Sequence, residues 1–237
     1  MVDLRALHQS KSLDDATRTL RDALTALGVR DVVYGYMLEP GSFFRRDVCL
    51  SVTLTDELMK VYEASGGLST DPVAEKVPTT KAWFSIDLED LAADKGAKRL
   101  AQYQYVNAMR RAGYRSIWVF PTQERDPVGF GTVTLFQDEH ADAPRIDPVV
   151  IAPYAYEFHE IVKSRGLLAE LFDLSAMETK TLRRIAAGKS AVDIADAEGV
   201  SPRAVELRLQ RVRKKLRASN TVEAVFKATV YGILRDE

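Results

Sequence analysis

The chain has 237 residues, enough for one large domain or two ordinary ones. Its 46% hydrophobic and 28% charged residues indicate a globular protein rather than a disordered or fibrous one. No run of 18 apolar residues is present, and the N-terminal segment lacks the apolar core of a signal peptide, so we expect no contact with a membrane. The single cysteine, Cys49, excludes an internal disulfide and favours a cytoplasmic location.

The net charge of −1 conceals an asymmetry along the chain. Residues 175–237 contain thirteen Lys or Arg and eight Asp or Glu, a net charge of +5. The preceding 174 residues contain twenty basic and twenty-six acidic residues, a net charge of −6. An acidic large part followed by a small basic part predicts two domains, one of which binds a polyanion.

The first part alternates helical and strand patterns. Apolar residues at helical spacing predict helices over 13–27, 55–64 and 97–112 and a long helix over 148–172. Residues at strand spacing predict two strand pairs. The first pair is 31–38 and 45–54 around the turn Glu39–Ser42, and the second is 116–122 and 129–137 around Asp126-Pro127. Strands that pair through turns, with helices before and between them, predict an α+β fold, an α-β-α sandwich with an antiparallel sheet.

The second part reads as four short helices with no strand pattern. Ser175, Ser190 and Ser201 are predicted N-caps, and Pro202 suits the first position of the third helix. Either Asn220 or Ser219 is predicted to start the fourth helix. The second and third helices are separated by a few residues around Gly199. This is the arrangement of a helix-turn-helix, so we predict an all-α four-helix domain of this type.

The third of these helices has two distinct faces. Its apolar residues recur at i, i+4, i+7 and i+11 and predict the buried side, so the opposite side is outward. An outward face of arginine, glutamine, lysine and leucine suits the major groove of double-stranded DNA, and helix N-termini suit phosphates. A charged helix on the surface of a packed bundle is the alternative. The predicted DNA-binding residues are Ser190, Ser201, Arg203, Glu206, Leu207, Gln210, Arg211 and Lys214.

From Leu174 to Leu234 the sequence resembles the DNA-binding domain of LuxR-type transcriptional regulators. The positions that carry this resemblance are Leu174, Glu178, Leu182, Gly188, Lys189, Ile194, Ala195, Gly199, Val200, Ser201, Val205, Lys215, Leu216 and Ala224. Several positions depart from the family pattern. Glu198 stands where leucine is usual, Ala204 where threonine is common, Arg208 where histidine is common and Arg217 where glycine is common. Glu206 stands where Lys or Arg often touches DNA.

The length and layout of the first part are similar to the autoinducer-binding domain of quorum-sensing regulators. This resemblance implies an acyl-homoserine lactone as ligand and Tyr62, Asp71, Trp83 and Thr134 as ligand-binding residues. In the family the aspartate accepts a hydrogen bond from the amide N–H of the signal, and hydroxyl groups bind its carbonyls. Tyr62, Asp71 and Trp83 also have ordinary explanations, because Asp71-Pro72 suits a helix start and the aromatic residues suit a core.

Three positions of the first part differ from that family. Leu58 replaces a tryptophan whose indole N–H binds the lactone carbonyl, Leu54 replaces a common pocket tyrosine, and Ile117 replaces a glycine. Leucine cannot donate a hydrogen bond. Two alternatives therefore stay open: a regulator that binds a different ligand or none, and an antagonist that forms a heterodimer with a related regulator.

Signals for an enzyme or a metal site are weak. The histidines His8, His140 and His159 are dispersed, and Gly129-Phe130-Gly131 precedes a strand instead of the helix that a phosphate loop needs. We therefore expect no catalysis, no metal and no cofactor other than the signal. The predicted layout is a sensor and dimerisation domain over 1–165, a linker over 166–174 and the helix-turn-helix domain over 175–237. The protein is expected to act as a homodimer on DNA.

Overall fold

A computed structural model gives the structure of the protein, and it describes residues 4–38, 48–93, 100–123, 129–138 and 145–234. The chain divides into two compact units, Met1–Ile161 and Val162–Glu237. Within the described ranges, no helix combines the length and the apolar character that crossing a membrane requires.

The first unit is built on one five-stranded sheet. The strands are β1 (Val29–Leu38), β2 (Val48–Val52), β3 (Phe84–Asp87), β4 (Tyr114–Gln123) and β5 (Gly129–Asp138). Their order is β2-β1-β5-β4-β3, and every neighbouring pair is antiparallel. In the centre of the sheet Thr134 lies opposite Val33 on one side and Val119 on the other. This confirms the predicted antiparallel sheet.

Helices cover both faces of the sheet. On one face lie the short helices α2 (Asp56–Ala64), α3 (Pro72–Lys76), α4 (Leu88–Ala93) and α5 (Leu100–Arg111), which share an apolar cluster with strand residues such as Ile117 and Phe136. The other face is covered by α1 (Leu13–Leu24) and α6 (Pro148–Ser164), where the ring of Phe158 meets Tyr34 edge-on at 5.3 Å. The first unit is therefore the predicted α-β-α sandwich.

Several local features differ from the sequence prediction. The predicted long helix over 148–172 ends at Ser164, because Gly166 adopts a left-handed conformation with φ 65° that an α-helix cannot contain. A 3₁₀ helix, Leu167–Phe172, follows. The elements α3, β3 and α4 were not predicted, since four to six residues give too short a pattern. The predicted turns Glu39–Ser42 and Asp126-Pro127 lie outside the described residues.

The second unit contains the four predicted helices. They are α7 (Ala176–Ala186), α8 (Ala191–Glu198), α9 (Pro202–Lys215) and α10 (Thr221–Val230). All four N-cap side chains accept a hydrogen bond from the backbone N–H three residues later. Their apolar sides meet in a small core whose members include Leu182, Ile194, Val205, Leu209, Val212, Ala224 and Ala228. The fold class predicted for this part is thus confirmed.

Candidate ligand cavity and DNA-binding surface

A cavity lies in the first unit between the sheet and helices α2 to α5. The empty space within it, together with the part that is open to solvent, is about 990 Å³. Apolar side chains from four strands and four helices form most of the wall, among them Val33, Met37, Leu50, Leu54, Met59, Leu88, Val106, Met109, Ile117 and Phe136. An apolar cavity with few polar groups suits a small amphipathic molecule.

The polar end of the cavity is built around Asp71. This residue caps α3, where one carboxylate oxygen accepts the backbone N–H of Val73 at 2.8 Å. The other oxygen accepts the hydroxyl of Tyr62 at 2.8 Å. Burial raises the pKa of the Asp71 carboxyl, although both hydrogen bonds act in the opposite direction. Asp71 therefore starts a helix, as its ordinary explanation expects, and it also lines the cavity.

Thr134 and Tyr105 each bring a hydroxyl group to the cavity wall. Thr134 on β5 is 5% exposed, and Tyr105 on α5 is partly buried against the wall. Within the ranges that the structure describes, no hydrogen bond of either hydroxyl is found. Thr134 was predicted as a ligand residue, whereas Tyr105 was missed. Its only sequence signal is a place in a predicted helix, and which helix face meets the sheet is settled by tertiary packing.

Trp83 is the one predicted ligand residue that does not line the cavity among the described residues. It immediately precedes β3, where Phe84 is buried in the cluster on the cavity side. Successive side chains of an extended segment point to opposite sides, so Trp83 points away. It is 41% exposed, and its ring lies 5.8 Å from that of Trp118.

The three departures from the family pattern have different positions. Leu54 and Ile117 line the cavity, which stays open despite the bulk of the isoleucine. Leu58 is 7% exposed and is packed in the apolar cluster, outside the set of residues that line the cavity. The wall therefore holds no side-chain donor at the position where the family places its tryptophan.

Helix α9 of the second unit is the helix predicted to meet the major groove, and we call it the recognition helix. Gly199 ends α8 in a left-handed conformation with φ 65°, and Ser201 starts α9 by accepting the N–H of Ala204 at 3.2 Å. Val205, Leu209, Val212 and Leu216 are 0–3% exposed and form the inward side of α9. The predicted inward stripe is therefore the side that packs in the structure.

The predicted DNA-binding residues share one property, which is that all of them are exposed. They are Arg203, Glu206, Leu207, Gln210, Arg211 and Lys214 along α9, with Ser190 and Ser201 at the N-termini of α8 and α9. The side chain of Arg211 is 64% exposed and lies 3.7 Å from Glu178. The arrangement leaves a basic and polar strip free to meet a groove, with leucine available for a thymine methyl group.

Other basic residues of the segment 201–219 bind acids or hydroxyls within the unit. Arg208 contacts Glu198 at 2.8 Å, and Lys215 contacts the buried Glu178 at 2.8 Å. Arg213 donates to the Thr221 hydroxyl at 3.0 Å. None of these three cations is among the residues predicted to bind DNA.

The C-terminal end of α9 is held by a buried lysine. Lys227 on α10 is 1% exposed, pairs with Glu223 at 2.9 Å, and donates to the carbonyl oxygens of Leu216 and Arg217. A cation at this end complements the helix dipole and satisfies carbonyls that lack a helical partner. The recognition helix is therefore fixed at both ends.

Two families match the chain. Residues 12–152 match the autoinducer binding domain, and residues 173–228 match the bacterial regulatory proteins of the luxR family. No curated protein matches the chain.

Among solved structures, the chain is similar to SdiA of Escherichia coli at a TM-score of 0.53 and 16% identity, with 98% of this chain and 96% of that chain covered. A second SdiA structure, in complex with octanoyl-rac-glycerol, matches at 0.54 and 16% identity, with coverage of 99% and 94%. At this identity the likeness supports the fold. Because the autoinducer-binding match alone spans more than half of the sequence and the luxR match contains the helix-turn-helix, the chain belongs to the LuxR-type DNA-binding transcriptional regulators, which are not enzymes.

Proposed function

We propose that this regulator binds a two-fold symmetric DNA site as a homodimer in the cytoplasm, and that an acyl-homoserine lactone in the cavity of the first unit controls this binding. The observation that carries the proposal is the cavity itself, an apolar space with Asp71 at its polar end, in a chain that also carries an exposed recognition helix.

The chemistry of the cavity suits an acyl amide. The apolar wall takes an acyl chain, and the carboxylate of Asp71 is an acceptor for an amide N–H. The hydroxyl of Thr134 is a donor for a carbonyl, which otherwise loses its hydrogen bonds to water on burial. A ligand that binds only the folded protein stabilises it, and it changes DNA affinity only through different affinities for the competing states.

A monoacylglycerol is the second candidate. Leu58 removes the usual donor for a lactone carbonyl, and the similar structure of SdiA holds octanoyl-rac-glycerol. A glycerol head offers hydroxyl groups that donate to Asp71 without requiring a second donor from the wall.

The DNA-binding part is tested by electrophoretic mobility shift with genomic fragments, with and without N-octanoyl-homoserine lactone or octanoyl glycerol. We expect one of the two ligands to change the affinity for a subset of fragments. If no fragment binds and the protein instead forms a tight complex with a related regulator, it is an antagonist. If DNA binding is equal with and without either ligand, it is a regulator that needs no such signal.

The recognition helix is tested with single substitutions on a bound fragment. Arg203→Ala and Gln210→Ala are expected to weaken binding by an amount that depends on the base sequence, about 1–3 kcal/mol each. Lys214→Ala should weaken binding to all fragments alike and reduce the salt slope by about one. Lys60→Ala, an exposed lysine of the first unit, is the matched control and should change neither quantity.

A further inference from the structure

We propose that Tyr105 supplies the hydrogen bond to the head-group carbonyl of the signal that is lost with the tryptophan replaced by Leu58. This inference rests on the proposed function, because it assigns a specific role in the binding of a lactone. Tyr105 is then a specificity-determining residue, and the hydrogen-bond donor for the head group lies on α5 instead of α2.

The first observation is that the cavity needs a donor. Leu58 has no donor and is packed in the apolar cluster. Leu54 lines the cavity with an apolar side chain at a position where a pocket tyrosine is common in the family. A lactone carbonyl buried against such a wall loses its hydrogen bonds to water without replacement. Recognition of a lactone therefore requires a donor elsewhere on the wall.

The second observation is the position of Tyr105. Its ring meets the ring of Tyr62 edge-on, with centroids 5.0 Å apart, and Tyr62 donates its own hydroxyl to Asp71 at 2.8 Å. Both phenols therefore stand at the Asp71 end of the cavity. The negative charge of Asp71 acts on Tyr105 and, after burial, is a further cause of its raised pKa. Tyr105 thus keeps its proton at neutral pH and remains a donor.

The other hydroxyls at this end are already in use. Tyr62 has one proton, which Asp71 accepts, and Ser65 donates to the carbonyl of Val61 at 2.7 Å. Thr70 donates to the carbonyl of Ser65 at 2.9 Å. In contrast, no hydrogen bond of the Tyr105 hydroxyl is found within the part of the chain that the structure describes. Among the described hydroxyls at this end, its proton is therefore the one available for a ligand.

The geometry of an acyl-homoserine lactone identifies which carbonyl Tyr105 meets. In a trans amide the N–H and the acyl C=O point in opposite directions. The ring carbonyl is attached to the carbon next to the amide nitrogen, and rotation about the bond between these two atoms can bring it to the N–H side. In that conformer, when Asp71 accepts the N–H, a donor beside Asp71 meets the ring carbonyl, whereas Thr134 on the sheet remains for the acyl carbonyl.

The test compares two ligands that differ at the ring carbonyl. N-octanoyl-homoserine lactone has this carbonyl, and N-octanoyl cyclopentylamide has the same chain and amide without it. Binding of both is measured by calorimetry on the full chain, for the parent protein, Tyr105→Phe and Tyr103→Phe. Tyr103 lies on the same helix and is 51% exposed, so Tyr103→Phe is the matched control. Thermal unfolding without ligand verifies that all three proteins are equally folded.

We expect Tyr105→Phe to weaken lactone binding by about 3- to 10-fold, the effect of one hydrogen bond, and to leave cyclopentylamide binding unchanged. Tyr103→Phe should alter neither. Equal weakening of both ligands would place the hydrogen bond on the amide and overturn the assignment, as would no weakening of either. If the parent protein binds neither ligand, the proposed lactone function fails as well, which is a distinct result.

Discussion

Arg208 on the recognition helix α9 donates a hydrogen bond of 2.8 Å to Glu198 at the end of α8, and the two side chains are only 12% and 10% exposed. Arg184 on α7 holds the second oxygen of Glu198 at 2.9 Å, and Arg208 also donates to the hydroxyl of Thr181 at 2.7 Å. In the LuxR-type pattern the positions of Glu198 and Arg208 usually hold leucine and histidine. The two departures therefore contact and compensate each other, and together they connect three helices.

This pair predicts a specific pattern of stability in a double-mutant cycle. Glu198→Leu alone leaves Arg208 without its counter-ion, and Arg208→His alone removes the closest cation of Glu198, so each is expected to lower the Tm by several degrees. The double variant restores the usual family residues and should recover most of the loss. Thermal unfolding of the four proteins measures the coupling, and strictly additive losses would contradict it.

The acids of the second unit predict a loss of stability at low pH. The hydrogen bond from Arg208 is the main cause of the lowered pKa of Glu198, and the charges of Arg208 and Arg184 add to it. Burial alone would raise the pKa of Glu178, but the hydrogen bonds from Lys215 and Ser175 outweigh it and hold the pKa below the ordinary 4.5.

A carboxylate with a lowered pKa in the folded state stabilises the fold above its ordinary pKa, and this contribution is lost as the pH falls through the folded value. Stability of the second unit should therefore be level from about pH 7 to 5 and decline below about 4.5. Glu198→Gln should lower the Tm at neutral pH and approach the parent protein in acid. Thermal unfolding across this pH range measures both effects, and an equal deficit in Tm at every pH would speak against the assignment.

What the sequence predicted well was governed by local rules. The caps at Ser175, Ser190 and Ser201 depend on neighbouring residues only, and the two faces of α9 follow from the helical period. Both are present in the structure. Tyr62, Asp71 and Thr134 meet at one cavity because the resemblance supplied a three-dimensional arrangement that spacing alone does not contain.

What the sequence did not predict depends on contacts between distant segments. The partners Glu198 and Arg208 belong to different helices, and Tyr105 reaches the cavity only because α5 packs on the sheet. Trp83 was assigned to the ligand, but the unpredicted strand β3 points its neighbour Phe84 inward instead. Short edge strands carry too little pattern to be recognised before their pairing partner is known.

We predict that a single substitution at Arg217 raises the free energy of unfolding. It has φ 48°, in the left-handed region where a side chain is disfavoured, and it stands where glycine is common in the family. Arg217→Gly removes the steric strain of the left-handed backbone and keeps the backbone carbonyl at this position, to which Lys227 donates at 2.8 Å. We expect a rise of about 0.5–1 kcal/mol in the free energy of unfolding, reduced by the greater freedom of glycine in the unfolded chain. Arg217→Ala, which retains the strain, is the control and should give no gain in urea denaturation.

We predict that substitution of Thr134 has opposite effects on stability and on ligand binding. Thr134 is 5% exposed and lines the cavity, and no hydrogen bond of its hydroxyl is found among the residues that the structure describes. Thr134→Val keeps the shape and removes an unsatisfied polar group, so the ligand-free protein should become slightly more stable. The same change removes a donor for the acyl carbonyl and should weaken binding of N-octanoyl-homoserine lactone by about 3- to 10-fold. Urea denaturation without ligand and calorimetric titration measure the two effects. A loss of stability without ligand would mean that the hydroxyl is satisfied within the fold, and the role of Thr134 in binding would then lose its physical basis.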